Sequence, residues 1–336
     1  MLTALLLTFG LFARASSAQK EAAQETAAAD RQPVVVSLGA VDKEGRPVEG
    51  LKPEDLRVTV EGQPQQLLSF KPQTEGPLHV VVMFDASASQ ERLLPFAQEA
   101  ADRFVRALLA RGGANDVAVV SFTGDPKVVQ GLTADAAAVR RAIASVEFVP
   151  PTGYISGGAI IIGPPNPHDP NMRAGSTAIW DALVGVCDNV FAGARPGRRV
   201  VVLVTDGIDT SSRVKLDKAV ERLLREGVAV YVAGIGDEKS FEAVDKSTLR
   251  KVSERTGGRA LFPKEFGDVP GAFEQFRREL LGSYALTFTA PALWREGKPN
   301  KLRVELANPE LRRLGVQLAY PQSLFPERAA APAVRR

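Results

Sequence analysis

Apolar residues in the middle of the chain alternate between short continuous runs and longer stretches in which they recur every three or four positions. The runs His79–Phe84, Arg199–Thr205 and Val228–Ile235 are almost entirely apolar, which is typical of parallel strands buried on both faces. The segment Asp116–Phe122 is a fourth strand candidate. Between these segments, the spacings of three and four predict amphipathic helices.

The helical pattern is clearest around 94–108, where the apolar positions form one continuous stripe. Further helices are predicted at Asp135–Val146, Ala178–Phe191, Val214–Arg225, Ser247–Thr256 and Gly271–Leu281. Strands that alternate with helices favour right-handed crossovers, so the pattern predicts a doubly wound, mostly parallel sheet of the α/β class. We assign this domain to residues 76–282.

The two flanks of this domain have a different pattern, made of short alternating segments separated by turn residues. Residues 33–75 and residues 283–322 each contain three strand candidates of this kind. Three short strands cannot bury enough apolar surface to be stable alone. We therefore predict that the flanks are two halves of one small β-sandwich domain, and that the α/β domain is inserted between them.

The ends of the chain are predicted to lie outside both domains. The apolar run Leu2–Phe12, followed by small residues as far as Ala18, predicts a signal peptide over residues 1–18 and export to the periplasm or beyond. This run is too short for a transmembrane helix, and no later segment is long and apolar enough. Residues 19–32 are predicted to be a linker and residues 323–336 a disordered tail.

Composition narrows the classes of function. The formal net charge is +3, and hydrophobic and charged residues make up 45% and 24% of the chain, as in soluble globular proteins. Basic residues are mixed with acidic ones, without the basic and aromatic clusters that nucleic-acid binding requires. The single cysteine, Cys187, excludes an intramolecular disulfide, and with only two histidines a Cys/His zinc site is not expected.

Polar residues follow the predicted strands where a ligand would bind. In an open α/β sheet, ligands lie outside the carboxyl ends of the strands. Asp85, Ser87 and Ser89 follow the first apolar run, Asp206 follows the third, and Thr177 precedes a predicted helix. Carboxylate and hydroxyl oxygens suit Mg²⁺ or Mn²⁺. Because only two of these side chains carry charge, the cation would retain affinity for a carboxylate supplied from outside.

The Asp-x-Ser-x-Ser segment at 85–89, the Gly-Ser-Thr at 175–177 and the Thr-Asp-Gly at 205–207 resemble the metal-ion-dependent adhesion site of von Willebrand factor type A domains. The resemblance covers residues 76–282. It implies that Asp85, Ser87, Ser89, Thr177 and Asp206 hold the metal ion. Segments of the first flank, such as 45–51, also resemble bacterial secreted proteins described as VWFA-related.

The segment 149–175 is longer than a compact domain of this kind requires. Because it precedes the Thr177 loop, we expect it on the binding face, where Tyr154, His168 and Asp169 would contact a partner. The alternative is a hairpin insertion that only covers apolar surface.

Several polar residues have more than one interpretation. Ser87 and Ser89 could be helix N-caps rather than metal ligands. Asp181 could support the site from one helical turn beyond Thr177, although a solvated carboxylate is the favoured interpretation. Asp209 could steady the third loop or be a simple turn residue, and Thr205 could support the site or merely fill the sheet.

The pattern as a whole favours a binding module over an enzyme. We expect an exported adhesion or protein-interaction module that binds a Glu or Asp carboxylate of a partner protein. One alternative is a structural envelope-assembly protein in which the metal fastens three loops together. A less favoured alternative is a Mg²⁺-dependent hydrolase, because no acid–base partner accompanies Asp85 and Asp206 and no Gly-x-Ser-x-Gly motif is present.

Overall fold

The computed structural model describes residues 33–73, 76–112, 114–149, 154–155, 159–160, 176–236, 244–290, 294 and 297–325. The predicted signal peptide, the predicted linker, most of the predicted tail, His168 and Asp169 lie outside these residues. For Tyr154 only the backbone is described, in a two-residue strand.

The structure contains sixteen strands and seven α-helices within the described ranges. The strands are β1 (Pro33–Val41), β2 (Leu56–Val60), β3 (Gln63–Pro64), β4 (Leu67–Pro72), β5 (Leu78–Asp85), β6 (Asp116–Phe122), β7 (Pro126–Thr133), β8 (Tyr154–Ile155), β9 (Ala159–Ile160), β10 (Arg198–Thr205), β11 (Val228–Gly234), β12 (Ala260–Leu261), β13 (Tyr284–Thr289), β14 (Asn300–Leu306), β15 (Gln317–Ala319) and β16 (Ser323–Leu324). The helices are α1 (Leu94–Leu109), α2 (Ala136–Ala144), α3 (Ile179–Val186), α4 (Leu216–Arg225), α5 (Lys246–Thr256), α6 (Val269–Leu281) and α7 (Pro309–Arg313).

The central sheet has six strands in the order β12-β11-β10-β5-β6-β7. All neighbours are parallel except β6 and β7, which confirms the predicted doubly wound, mostly parallel sheet. The sequence analysis does not predict β7. Its side chains are exposed or half-buried, as expected at a sheet edge, so it lacks the apolar run that marks the inner strands.

Helices cover both faces of this sheet and bury two separate apolar cores. One core lies under α1, α2 and α6, and the other lies under α3, α4 and α5. Cys187, in the π-helical turn that continues α3, is buried in the second core, and burial raises the pKa of its thiol to about 12. Among the described helices, none has the length and apolar character needed to cross a membrane.

Local sequence sets the ends of several helices. Asp135 caps α2, because its carboxylate accepts hydrogen bonds from the amides of Ala137 (2.8 Å) and Ala138 (3.1 Å). Asp245 caps α5 in the same way through Thr248. Gly257 ends α5 in the left-handed conformation, with φ of 88°, where a side chain would be strained.

The flanking strands form a β-sandwich with its own apolar core. One sheet has the order β15-β1-β13-β4 and the other β16-β14-β2-β3. Each sheet mixes strands from both ends of the chain, so the prediction of an α/β domain inserted between two β halves is confirmed. One boundary is wrong: Ser323 and Leu324, assigned to the tail, pair with Lys301 and Asn300, because they complete the edge beside β14.

Candidate functional site

The polar residues of the candidate site lie at the carboxyl ends of two neighbouring parallel strands. β5 pairs with β10 in a register that sets Phe84 opposite Val204. Asp85, the last residue of β5, and Asp206, directly after β10, therefore lie at the same edge of the sheet, and both side chains are buried. This is the juxtaposition that the strand order alone predicts for a ligand site.

The Asp85 carboxylate is held by two donors. Its Oδ1 accepts a hydrogen bond from the Ser87 amide at 3.0 Å, and its Oδ2 accepts one from the Thr205 hydroxyl at 2.6 Å. Thr205 therefore supports the site, which the sequence left open. Ser87 Oγ lies 3.3 Å from Ser89 Oγ. Ser87 occupies the N-cap position of the short helix Ala88–Gln90, but its side chain makes no capping hydrogen bond there.

Asp206 joins the same network from the other strand. Its Oδ2 accepts hydrogen bonds from Ser89 Oγ at 2.5 Å and from Gln90 Nε2 at 2.8 Å. Its Oδ1 accepts one from the Ile208 amide at 3.0 Å. Gly207 makes this turn possible, because its φ is 87° and an added Cβ would lie 2.7 Å from Leu249.

The two carboxylates are electrostatically costly in this setting. Burial, and then the nearby charge of Asp206, raise the pKa of Asp85 to about 7. Their hydrogen-bond partners are hydroxyls, amides and a carboxamide. Among the residues that the structure describes, no basic side chain hydrogen-bonds to either carboxylate, so no cationic side chain compensates the charge directly.

Thr177 lies on a third segment beside this network. It is buried, and its amide donates to Thr210 Oγ1 at 2.9 Å, while its carbonyl accepts from the amides of Thr210 and Ser211. The next residue, Ala178, donates to the Thr123 carbonyl just beyond β6. The segment that carries Thr177 is thus fastened both to the end of β6 and to the loop after Asp206.

Asp181 and Asp209 accept hydrogen bonds that connect these loops to each other. Asp209 Oδ1 accepts from the Ile179 amide at 2.8 Å and from the Ser212 hydroxyl at 2.6 Å. Asp181 accepts from the amides of Arg213 and Val214. Asp181 is partly exposed, as the favoured interpretation of a solvated carboxylate implies, but it also connects α3 to the loop before α4.

Gln90 is the one member of the network that the sequence analysis does not single out. Its side chain is buried and its Nε2 donates to both Asp206 and Ser89 Oγ, the latter at 3.1 Å. Its Oε1 has no hydrogen-bond partner among the described residues. Position 90 directly follows the Asp-x-Ser-x-Ser segment, but neither its residue type nor its spacing marks it as buried.

The donor chemistry fits a hard divalent cation. Within the described part of the chain, no group of three or more His, Cys, Asp or Glu side chains could hold a metal. The described residues therefore offer no thiolate or imidazole metal site. The network instead combines two carboxylates with hydroxyl oxygens, which are ligands of Mg²⁺ and Mn²⁺.

An α/β sheet of this order, with these oxygen side chains at its carboxyl edge, defines a class of ligand-binding domain. Residues 169–275 match the family described as the von Willebrand factor type A domain. Over these residues, the match confirms the resemblance to that family that the motifs carry. The matched range includes Thr177 and Asp206 and begins after the Asp85 loop. No curated protein sequence matches the chain.

Several solved structures are similar to this one. Proximal thread matrix protein 1 from the mussel byssus is 21% identical over 71% of this chain and 50% of its own, with a TM-score of 0.47, so this chain spans about half its length. A further structure of that protein has a zinc-occupied MIDAS motif. A von Willebrand factor type A protein from Catenulispora acidiphila is 15% identical over 89% of this chain and 75% of its own, with a TM-score of 0.49.

Proposed function

We propose that this protein is an exported interaction module whose α/β domain holds one divalent cation, Mg²⁺ or Mn²⁺, and uses it to bind a Glu or Asp carboxylate of a protein partner. The observation that carries the proposal is the pair of buried carboxylates, Asp85 and Asp206, which share one hydrogen-bond network with Ser87 and Ser89. Their charge is unfavourable when buried, and a cation would offset it.

Asp85, Ser87, Ser89, Thr177 and Asp206 would hold the cation. The bound cation supplies positive charge to an incoming carboxylate. The three serine and threonine ligands are neutral, so the two aspartates only balance the two charges of the cation. A carboxylate of the partner could then complete the coordination of the cation. The hydroxyl proton of Ser89 is directed to Asp206, while Gln90 Nε2 and Ser87 Oγ lie within hydrogen-bond distance of Ser89 Oγ. A cation bound to Ser89 Oγ would take the place of one of these two contacts.

A binding role fits the site better than a hydrolytic one. Hydrolysis would need an acid or base beside the carboxylates, and the neighbours are Ser87, Ser89 and Gln90. His79 lies near the start of β5, about 20 Å from Asp85 at the usual rise per strand residue. It is buried there against Asp116, with Nδ1 2.6 Å from Oδ1, and so has a structural role.

The same loops argue against a purely structural cation. The Thr177 segment is already connected to the loop after Asp206, because its amides donate hydrogen bonds to the side chains of Asp209, Thr210 and Ser212. A metal that served only to fasten these loops would duplicate those bonds. We therefore favour partner binding over a role as a staple in envelope assembly.

Two finer parts of the proposal rest on sequence. The apolar run and small residues within 1–18 support export. The segment 149–175 precedes Thr177, and we propose that Tyr154, His168 and Asp169 contribute to partner choice. A chain lacking residues 154–171 should still bind Mg²⁺ and should lose its partner. Unchanged partner binding would leave the segment as a cover for apolar surface.

Calorimetric titration of Mg²⁺ and Mn²⁺ into the full chain tests the metal site. We expect saturable one-site binding that is lost in the Asp85→Ala/Asp206→Ala variant. The matched control is Glu44→Ala/Asp217→Ala, which removes two exposed carboxylates and should bind as the parent does. Absence of binding, both alone and with a glutamate-bearing peptide present, would refute the proposal.

Chelation separates binding from stapling. With EDTA, an interaction module should keep its fold and lose only its affinity for glutamate-bearing peptides. If the loops at 176–181 and 206–214 instead lose amide-exchange protection on chelation, the cation is a staple and the partner-binding role fails.

A further inference from the structure

A groove of about 520 Å³ opens on the β-sandwich, and the residues that line it belong to the flanks of the chain rather than to the α/β domain. We call it the β14 groove, and its walls include Arg57, Val304, Leu306, Arg312, Leu318 and Tyr320. The groove runs beside β14 and between the two sheets, because Leu318 belongs to β15 in the opposite sheet. No residue proposed as a metal ligand lines it.

Hydrogen-bond alternation in β14 determines which backbone groups face the groove. β14 is antiparallel to β2, and at its two ends the Glu61 amide donates to the Lys301 carbonyl and the Ala307 amide donates to the Asp55 carbonyl. Odd-numbered residues of β14 therefore bond to β2, and the amides and carbonyls of even-numbered residues point away from it. Leu302 obeys this rule, since its amide donates to Gln322 on the other side.

The strand on that other side stops early. β16 pairs only with Asn300 and Lys301, and the chain then departs, with Pro321 bridging to Thr256 in the α/β domain. Val304 and Leu306, the next even-numbered residues, thus have amides and carbonyls on the side of β14 that β16 leaves unpaired. Leu306 is half-buried there and Val304 is 4% exposed. No described residue hydrogen-bonds to them there, and an unpaired edge of this kind is a template for an added strand.

Charge around the groove is unbalanced. Glu305 lines the groove beside the two arginines, and its carboxylate is paired with Arg303 at 2.7 Å. Arg57 and Arg312 have no carboxylate partner in the part of the chain that the structure describes, and Arg312 donates to the Ala307 carbonyl at 3.4 Å. The remaining walls are Val304, Leu306, Ala307, Leu318 and Tyr320. An occupant that is acidic and partly apolar would match this lining.

We propose that the β14 groove binds an extended acidic segment of a protein partner, which pairs with Val304 and Leu306 as an added strand and places carboxylates near Arg57 and Arg312. This site is separate from the candidate metal site and does not need a cation. Main-chain hydrogen bonds would supply affinity, and the two arginines would select for acidic sequences.

Amide hydrogen exchange of the unliganded full chain tests the free edge. Within β14, the amides of Arg303 and Glu305 bond to β2 and should exchange slowly. The amides of Val304 and Leu306 should exchange faster, by about a hundredfold or more, since no hydrogen bond protects them. Equal protection of all four amides would mean that the edge is already covered, and the proposal would be overturned.

Peptide binding tests the occupant. A fluorescent hexapeptide of alternating valine and glutamate should bind in the presence of EDTA and should protect the amides of Val304 and Leu306. The Arg57→Gln/Arg312→Gln variant should bind about tenfold more weakly, whereas Arg313→Gln, on the same short helix but outside the groove, should bind as the parent does. Failure to bind, equal binding of a valine–lysine hexapeptide, or protection elsewhere would each overturn the proposal.

Discussion

At the scale of single residues, burial changes the titration of Asp85. Its carboxylate is buried beside Asp206, and its pKa rises from an ordinary 3.8 to about 7. The folded protein therefore holds the Asp85 proton more tightly than the unfolded chain does. Below the ordinary pKa both states are protonated and no penalty arises, and above about pH 7 both are ionised and the folded state carries the full penalty.

This shift predicts that the metal-free protein loses stability between about pH 4 and pH 7 through Asp85, by on the order of 4 kcal/mol at most. Thermal unfolding in EDTA at pH 5 and pH 8, compared between the parent and Asp85→Asn, isolates the effect. The parent should lose stability relative to the variant as the pH rises. A difference that does not change with pH would show that Asp85 does not titrate in this range.

Metal binding should offset the cost of ionising the buried Asp85 carboxylate. Mg²⁺ requires the ionised carboxylate, so its affinity should increase as the pH is raised toward 7, and binding should release protons. Calorimetry in two buffers of different ionisation enthalpy measures that release. Asp217→Asn, which changes an exposed carboxylate outside the Asp85–Asp206 network, should leave the proton release unaltered. Loss of the proton release in that variant would show that Asp85 is not its source.

At the scale of elements, the turn between α5 and β12 shows how one glycine fixes the position of a helix against the sheet. An added Cβ at Gly258 would lie 2.0 Å from the Val230 carbonyl oxygen and 2.5 Å from its carbon. These are backbone atoms of β11, which cannot move without breaking the ladder between β11 and β10. The Gly257-Gly258 pair is thus required by close approach as well as by the left-handed cap.

We therefore expect Gly258→Ala to lower the free energy of unfolding by about 3 kcal/mol or more. Gly271 is the matched control, because it lies in α6 with open space around it, and Gly271→Ala should stabilise by about 0.5–1 kcal/mol. Denaturant unfolding measures both. If Gly258→Ala is as stable as the parent, the loop can shift and the packing constraint is not real.

At the scale of the whole molecule, the two ends of the chain depend on each other. β1 lies between β13 and β15, and β2 lies between β14 and β3, so neither sheet exists without both flanks. Arg259 also links the units, because it pairs with the buried Glu279 of α6 at 2.9 Å and donates to Gln317 of β15. The hydrogen bond from Arg259 to Gln317 therefore joins the α/β domain to the sandwich, and the ion pair with Glu279 holds the Arg259 side chain within the α/β domain.

A chain of residues 76–336 should consequently be insoluble or aggregate, since β13 and β14 would lose their central partners and expose edges. Co-expression of residues 33–75 as a separate chain should restore solubility, which sedimentation after lysis would measure. A soluble, cooperatively folding 76–336 would contradict the interdependence of the two halves.

Much of the α/β domain follows from local pattern. β5, β10 and β11 are apolar on both faces because they are buried on both faces, and helices of matching period must cover them. Parallel strands place their carboxyl ends together, so the sequence alone predicts Asp85 and Asp206 at one edge of the sheet. The motifs then predicted the family, and the incomplete flanks predicted the insertion.

The tertiary structure decided what depends on contacts between distant segments. The bond from Thr205 to Asp85, the burial of Gln90 against Asp206 and the role of Asp181 as a loop cap involve partners far apart in sequence, and no spacing rule links them. β7 is an edge strand whose partial exposure removes the apolar run that would mark it. The open edge of β14 exists only because β16 ends after two residues. Hydrophobic period reports which face of an element is buried, whereas hydrogen-bond partners and free edges depend on how the packed elements meet.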